Sequence, residues 1–111
     1  MNETLRKKYI PMTETTYYTL LAVTTPRHGY AIMQYVGNLT NDRLLLGTGT
    51  LYTMVGRLTA DGLIDMRYED GKKAYCLTPL GMELLGEETR RLGQQLADGL
   101  KILSGGVSTA D

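Results

Sequence analysis

The stretch from Gly47 to Ile64, GTGTLYTMVGRLTADGLI, restricts the fold more than any other part of this chain. Its centre has helical spacing. Leu51, Met54, Val55 and Leu58 fall on one side of the wheel, and Thr50, Thr53 and Arg57 fall together on the other. Asp61-Gly62 stops this helix, and a strand begins at Leu63. Ile64, Met66 and Tyr68 then alternate with Asp65, Arg67 and Glu69, the pattern of a half-buried strand. Asp70-Gly71 signals a hairpin turn, and Lys72 to Thr78 forms the return strand with two lysines at its tip. An apolar back and a front of hydroxyls plus one Arg suit a helix that enters a DNA major groove. The same pattern describes an ordinary solvated helix face, so the neighbouring segments decide between the two.

Upstream, Thr13 is the expected N-cap of a helix running to about Val23, with Glu14 in its first turn and Tyr17, Leu20, Leu21 and Thr24 on one face. Thr25-Pro26-Arg27-His28-Gly29 breaks it. A second helix follows from about Tyr30 to Leu39, with Ile32, Tyr35, Val36 and Leu39 as its apolar stripe. Thr40 to Gly49 is a linker in which Leu44-Leu45-Leu46 reads as a single edge strand. Three helices followed by a two-stranded wing make the winged form of the helix-turn-helix, a mainly α fold with a β-hairpin. In it the third helix enters the major groove and the hairpin tip reaches the flanking backbone.

Downstream, Thr78 is an N-cap and Pro79 the first residue of a helix that runs to about Leu103. Leu85, Leu92 and Gly99 form one series at seven-residue spacing, and Thr89, Leu96 and Leu103 form the second. That is a heptad seam, longer than the small core requires, and it calls for a partner helix of similar length. A helix lying on its own domain is the alternative. Glu87, Glu88, Arg90, Arg91 and Asp98 are placed on the outer face. Gly86, Gly93 and Gly99 each disfavour the helix by about 1 kcal/mol relative to Ala, which suits close helix approach or room for a ligand. The organisation expected is an arm over residues 1–12, a DNA-binding domain over 13–78, a dimerisation helix over 79–103 and a flexible tail over 104–111. The arm is either disordered or a short helix packing on a partner subunit.

Net charge is zero over 111 residues, but it is unevenly spread. Residues 1–60 carry six Lys/Arg against three acids, and residues 61–111 carry six against nine. Phosphate binding follows the local field rather than the total, so the asymmetry is compatible with DNA binding. The only histidine, His28, has no Cys/His/Asp cluster near it in sequence and reads as a turn or helix-start residue, not a metal ligand. The only cysteine, Cys76, excludes an intrachain disulfide; mid-strand between Tyr75 and Leu77 it reads as a small packing residue, with a redox sensor as the other reading. Arg6-Lys7-Lys8 is followed by no continuous apolar run, and no segment has the length of a membrane span, so a cytoplasmic protein is expected. An enzyme is not expected: there is no supported carboxylate pair or nucleophile–base pair, and GTGT lacks the lysine of a phosphate-binding loop.

Three segments resemble the PadR-like transcriptional regulators over about residues 12–103. PRHGYAIMQ (Pro26 to Gln34) is similar to the family's HGY-x-I segment. GTLYTMVGRLTADGLI (Gly49 to Ile64) is similar to its G-T-L-Y-x-x-x-x-R-L-x-x-x-G-L-I signature, and AYCLTPLG (Ala74 to Gly81) to its Y-Y-x-L-T-x-x-G segment. The chain departs from the pattern at Thr48, often Pro, at Ala74, often Tyr, and at Cys76, often basic. A single helix after the wing is similar to the small-type members, which dimerise through it. The resemblance implies a dimeric repressor, often of an efflux or stress gene, sometimes responding to a small aromatic or cationic molecule.

On these residues the expected mechanism is a homodimer on a roughly palindromic operator, with half-sites on the order of 34 Å apart. Thr50, Thr53 and Arg57 face the DNA, Tyr52 offers its hydroxyl to a phosphate, and Lys72 and Lys73 contact backbone. Arg57 is the candidate for bidentate contact with guanine. The seam residues Leu85, Thr89, Leu92, Leu96 and Leu103, with Tyr9 from the arm, are expected to line either a ligand site or a plain dimer core. A winged-helix module that binds protein rather than specific DNA remains the alternative function.

Overall fold

Backbone chemistry at residues 58–63 ends the central helix and starts the wing. In the computed structural model, which describes residues 3–105, Gly62 has a φ of +78°, the left-handed conformation that a side chain disfavours. The Leu63 N–H then reaches back to the Leu58 carbonyl (3.0 Å) and the Gly62 N–H to that of Thr59 (3.1 Å), the paired bonds of a Schellman stop. Leu58 and Leu63 are both fully buried, which supplies the apolar contact that accompanies this motif.

The elements in chain order are α1 (Glu3–Tyr9), α2 (Glu14–Ala22), β1 (Arg27–His28), α3 (Gly29–Leu39), α4 (Thr48–Ala60), β2 (Ile64–Glu69), β3 (Lys72–Leu77) and α5 (Pro79–Leu103). The fold is the expected mainly helical one with a winged hairpin. Its sheet has a third strand, in the order β1-β3-β2, all antiparallel. Asp70 and Gly71 both have positive φ (52° and 76°) between the paired Glu69 and Lys72, so the hairpin closes through a two-residue turn of the type that matches strand twist. Leu20 of α2, Ile32 and Val36 of α3, Leu51 and Leu58 of α4, Leu63, Ile64 and Leu84 of α5 form the core. Thr13 and Thr78 cap α2 and α5 as expected, accepting from the N–H groups of Thr16 and Gly81.

Several expectations are corrected. Leu44-Leu45-Leu46 is not a strand: Leu46 is buried and Leu45 exposed in an irregular linker. The third strand is Arg27–His28 instead, because residues leaving α2 run alongside β3 in the register Arg27 to Tyr75 and His28 to Ala74. Leu39 does not join the buried stripe of α3 but is 49% exposed at its end. The alternation in β2 is not half-buried either. Only Ile64 is covered, while Met66 and Tyr68 are exposed, since the wing projects beyond the helices.

The arm is a helix on its own chain. Leu5 and Tyr9 are buried, Arg6 bonds Glu87 (Nε to Oε2, 2.8 Å), and Lys8 and Tyr9 both bond Asp61 at the end of α4. Glu88, placed by spacing on the outer face of α5, is 1% exposed. Its carboxylate accepts from the Met12 N–H (2.8 Å) and from Arg91 Nε and Nη2 (2.6 and 2.9 Å). The arm covers it, which helical periodicity on α5 alone cannot reveal. Of the expected tail, Ser104 and Gly105 form a turn, and residues 106–111 lie outside those described.

Two outcomes follow from this packing. A Cβ on Gly81 would lie 2.1 Å from the Leu63 carbonyl oxygen, so Gly81→Ala must move backbone and should destabilise by about 1–3 kcal/mol in urea unfolding. Gly86→Ala, whose methyl meets nothing nearer than Arg90 Nη1 at 3.7 Å, should stabilise by up to about 1 kcal/mol; equal effects at the two sites would refute the packing argument. The second outcome concerns acid. Hydrogen bonds from Arg91 hold the Glu88 pKa below the ordinary value against the opposing effect of burial, with the Met12 N–H assisting. The unfolded state therefore binds its proton first as pH falls. Glu88 contributes its full stability above the ordinary glutamate range and loses it as pH drops through the depressed pKa. Glu88→Gln should flatten the acid limb of a stability–pH curve below the ordinary glutamate range.

Candidate nucleic-acid interface

The apolar side of α4 is consumed by the core, which leaves its opposite side to solvent. Thr50, Thr53 and Arg57 are all exposed and line, with Gly49 and Met54, one shallow concavity of about 400 Å³. Gly49 and Gly56 sit on the same exposed side with nothing within 4 Å of where a Cβ would be. Bare backbone there lets another surface approach α4 closely. Gly47 occupies the N-cap without a side-chain bond, so the first N–H groups and the positive end of the helix dipole are open to an anion.

Tyr52 belongs to the other flank. It is 47% exposed and lines a cleft of about 380 Å³ with Val55, Gly56 and Thr59, facing Met66, Lys73 and Tyr75 of the wing. Its ring lies over the start of α3. A Cβ on Gly29 would be 2.3 Å from Tyr52 Oη and 2.8 Å from Cζ, so the glycine makes the space that the ring uses. Periodicity gives no sign of this pairing; the adjacent HGY and TLY segments carry it only as a motif. Burial raises the Tyr75 pKa, and the neighbouring Tyr52 and Tyr68 add to it.

Lys72 and Lys73 are exposed at the start of β3, and no side-chain partner holds either among the described residues. His28 holds β3 close to the hairpin tip, its Nδ1 lying 3.1 Å from the Lys73 carbonyl oxygen. His28 is also the N-cap residue of α3, consistent with its expected role as a helix-start residue. No group of three or more His, Cys, Asp or Glu among the described residues is arranged to hold a metal.

The other cations of the first half are largely engaged. Arg6 pairs with Glu3 and Glu87, Lys8 with Asp61, and Arg43 with Glu14. Arg27 donates to the Ala22 carbonyl and packs 3.9 Å from the centre of the Tyr35 ring. Arg57 instead lies 5.5 Å from the Tyr9 ring centre, with no ion pair among the described residues. The Asp61 pKa is lowered by hydrogen bonds from Lys8 and Tyr9. Tyr9 is pushed up to about 12, first by burial and then by its bond to Asp61, so it remains a neutral donor.

The expected seam divides. Leu85 is buried in its own protomer's core and Tyr9 packs beneath α4, so neither faces outward along α5. Thr89 donates its hydroxyl to the Leu85 carbonyl (2.8 Å) and accepts from Tyr17 Oη (2.8 Å). Beyond it Leu92 is half-buried, and Leu96 and Leu103 are 61% and 85% exposed. Leu100 and Ile102, absent from the heptad reading, are exposed too.

Comparison with known proteins agrees with this geometry. The model of the family described as "Transcriptional regulator PadR-like family" matches residues 18–87, which hold the core helices, the wing and the start of α5. A curated relative, an uncharacterized 37.1 kDa protein in transposon TN4556 of Streptomyces fradiae, is 39% identical over 70 residues, 62% of this chain. The match takes in 20% of that relative, so the chain spans only a small part of its length. Among solved structures, a PadR family transcriptional regulator from Eggerthella lenta DSM 2243 is 25% identical with a TM-score of 0.64, over 90% of this chain and 85% of the other. A transcriptional regulator from Clostridium thermocellum has a TM-score of 0.66 at 20% identity, over 86% and 93% of the two chains, a likeness of fold.

The Gly29–Tyr52 contact is testable without any ligand. In Gly29→Ala the methyl meets the far end of a flexible side chain, so stability should change by less than about 1 kcal/mol while the Tyr52 ring signals move in the NMR spectrum. A loss as large as that of Gly81→Ala, or unmoved Tyr52 signals, would contradict the contact.

Proposed function

The chain belongs to the PadR-like family of transcriptional regulators, and from that membership we propose that it is a homodimeric, sequence-specific DNA-binding repressor. The family is one of regulators and not of enzymes. The observation that carries the DNA reading is the exposed side of α4. It combines an uncapped N-terminus, two bare glycine positions and an arginine without an ion pair, beside a wing whose two lysines have no partner among the described residues.

In this reading each α4 enters the major groove of one half-site of a palindromic operator. Arg57 donates to guanine O6 and N7, and Thr50 and Thr53 contact base edges or phosphates beside it. Tyr52 and Lys73, on opposite walls of one cleft, bracket a phosphate strand, and Lys72 adds a backbone contact. The second copy seats on the distal half of α5. That half carries Leu92, Leu96, Leu100 and Leu103, and α5 makes the molecule long, 61 Å in its greatest extent. Isolated amphipathic helices gain most of their stability by burying such a face. The seam we propose runs from Thr89 outward, since Leu85 already serves the protomer. A small aromatic or cationic effector between the two α5 helices would act by favouring one spacing of the wings over another. No helix among the described residues is long and apolar enough to cross a membrane; we place the regulator where its DNA is, in the cytoplasm.

The test is a mobility-shift titration with the duplex just upstream of the coding region. Arg57→Ala should weaken binding by about 1–3 kcal/mol and relax sequence preference at one position of each half-site. Changing Lys72 and Lys73 together to Ala should weaken all duplexes alike and reduce the slope of log K against log salt by about two. The alternative, a winged-helix module for a protein partner, gives no salt-dependent shift with any duplex.

A further inference from the structure

The arm brings an unexpected set of groups to the end of α4. Asp61 is the C-cap residue of α4, four residues after Arg57, a spacing that lets an arginine and a carboxylate pair. They do not pair here. Asp61 Oδ2 is occupied twice, by Lys8 Nζ at 2.7 Å and by Tyr9 Oη at 2.6 Å. The Arg57 guanidinium is instead 5.5 Å from the centre of the Tyr9 ring. Lys8, Tyr9 and Arg57 line a common hollow of about 110 Å³ with Pro11, Thr13 and Thr16. The ring itself is 4% exposed and held from below, so it offers a fixed surface.

We propose that Tyr9 and Lys8 are positioning residues for Arg57: they engage Oδ2 of the carboxylate that would otherwise draw it back along α4, and Tyr9 carries the guanidinium toward the exposed face. The inference rests on the reading of Arg57 as the base-contacting residue. It gives α1 a role apart from packing. An arginine paired to Asp61 would have to break that ion pair before meeting guanine, whereas one resting against Tyr9 is held only by a neutral ring and its hydroxyl. Because Arg6 and the Met12 N–H tie the arm to Glu87 and Glu88 of α5, the placement of Arg57 depends on the seating of α1 against the helix proposed to form the dimer.

A double-mutant cycle in the full chain tests this, with the same upstream duplex. Lys8→Gln with Tyr9→Phe frees Asp61 while keeping the ring, and should lower affinity about five- to tenfold. Introduced together with Asp61→Asn, the same two changes should cost no more than about the twofold expected from removing one exposed lysine, as calibrated by Lys7→Gln. The lost affinity should concentrate at the operator position that Arg57→Ala relaxes. In the DNA-free protein, the Arg57 Nε–H signal should shift on freeing Asp61 and stay put in the Asp61→Asn background. Equal losses in the two backgrounds, or an unmoved Arg57 signal, would overturn the positioning role alone. If Arg57→Ala leaves affinity untouched, the base-contact reading falls and this inference falls with it.

Discussion

One backbone corner holds the functional parts in register. The carbonyl of Leu63 accepts from the Thr78 N–H at 3.0 Å and lies against the bare Cα of Gly81. Thr78 also donates its hydroxyl to the Gly62 carbonyl at 2.6 Å while capping α5. The end of α4, the start of β2, the end of β3 and the first turn of α5 therefore share a single hydrogen-bonded junction. In the proposed reading, an α4, a wing and an α5 that moved independently could not present a fixed spacing to DNA. Here a displacement of any one breaks a bond whose partners are otherwise hard to satisfy, since buried backbone groups left unpaired cost about 1–3 kcal/mol each.

Electrostatics explains how a chain of zero net charge can still suit a polyanion. Most cations of the first half are spent within the protein: Arg6 and Lys8 lock the arm, Arg43 bridges to α2, and Arg27 stacks on Tyr35. Among the described residues, Arg57, Lys72 and Lys73 remain without an ion pair around α4 and the wing, and all three are exposed. The acidic excess of the second half is partly neutralised in the same way, by Arg6 on Glu87 and Lys8 on Asp61. Local arrangement thus leaves exposed cations free of ion pairs, which the totals conceal.

The legible parts of the sequence were those where a local signal and a local cause coincide. The caps at Thr13 and Thr78, the stop at Asp61-Gly62, the turn at Asp70-Gly71 and the two faces of α4 all depend on residues within a few positions of one another. Leu44-Leu45-Leu46 misled because a short apolar run satisfies strand and loop equally, and only the position of β3 decides which segment joins it. Tyr68 and Met66 alternate as a buried strand does, but burial requires something to cover them. Tyr9 and Glu88 were assigned to the wrong surroundings for one reason: what covers each comes from more than fifty residues away, Asp61 for Tyr9 and the Met12 backbone for Glu88.

By itself, then, the sequence determined the order of the three central helices, the hairpin and the long last helix, the identity of α4 as the helix with one free face, and the basic tip beside it. Those follow from side-chain period and turn chemistry, which act over one or two turns of chain. The tertiary structure alone decided that Tyr52 rests on Gly29 and that Leu85 and Glu88 belong inside the protomer. It also decided that the arm folds back so that Lys8 and Tyr9 bond Asp61 at the end of α4. Each of these depends on which surfaces meet once the chain has closed on itself, and a periodic pattern says that a face is apolar or charged without saying what will lie against it.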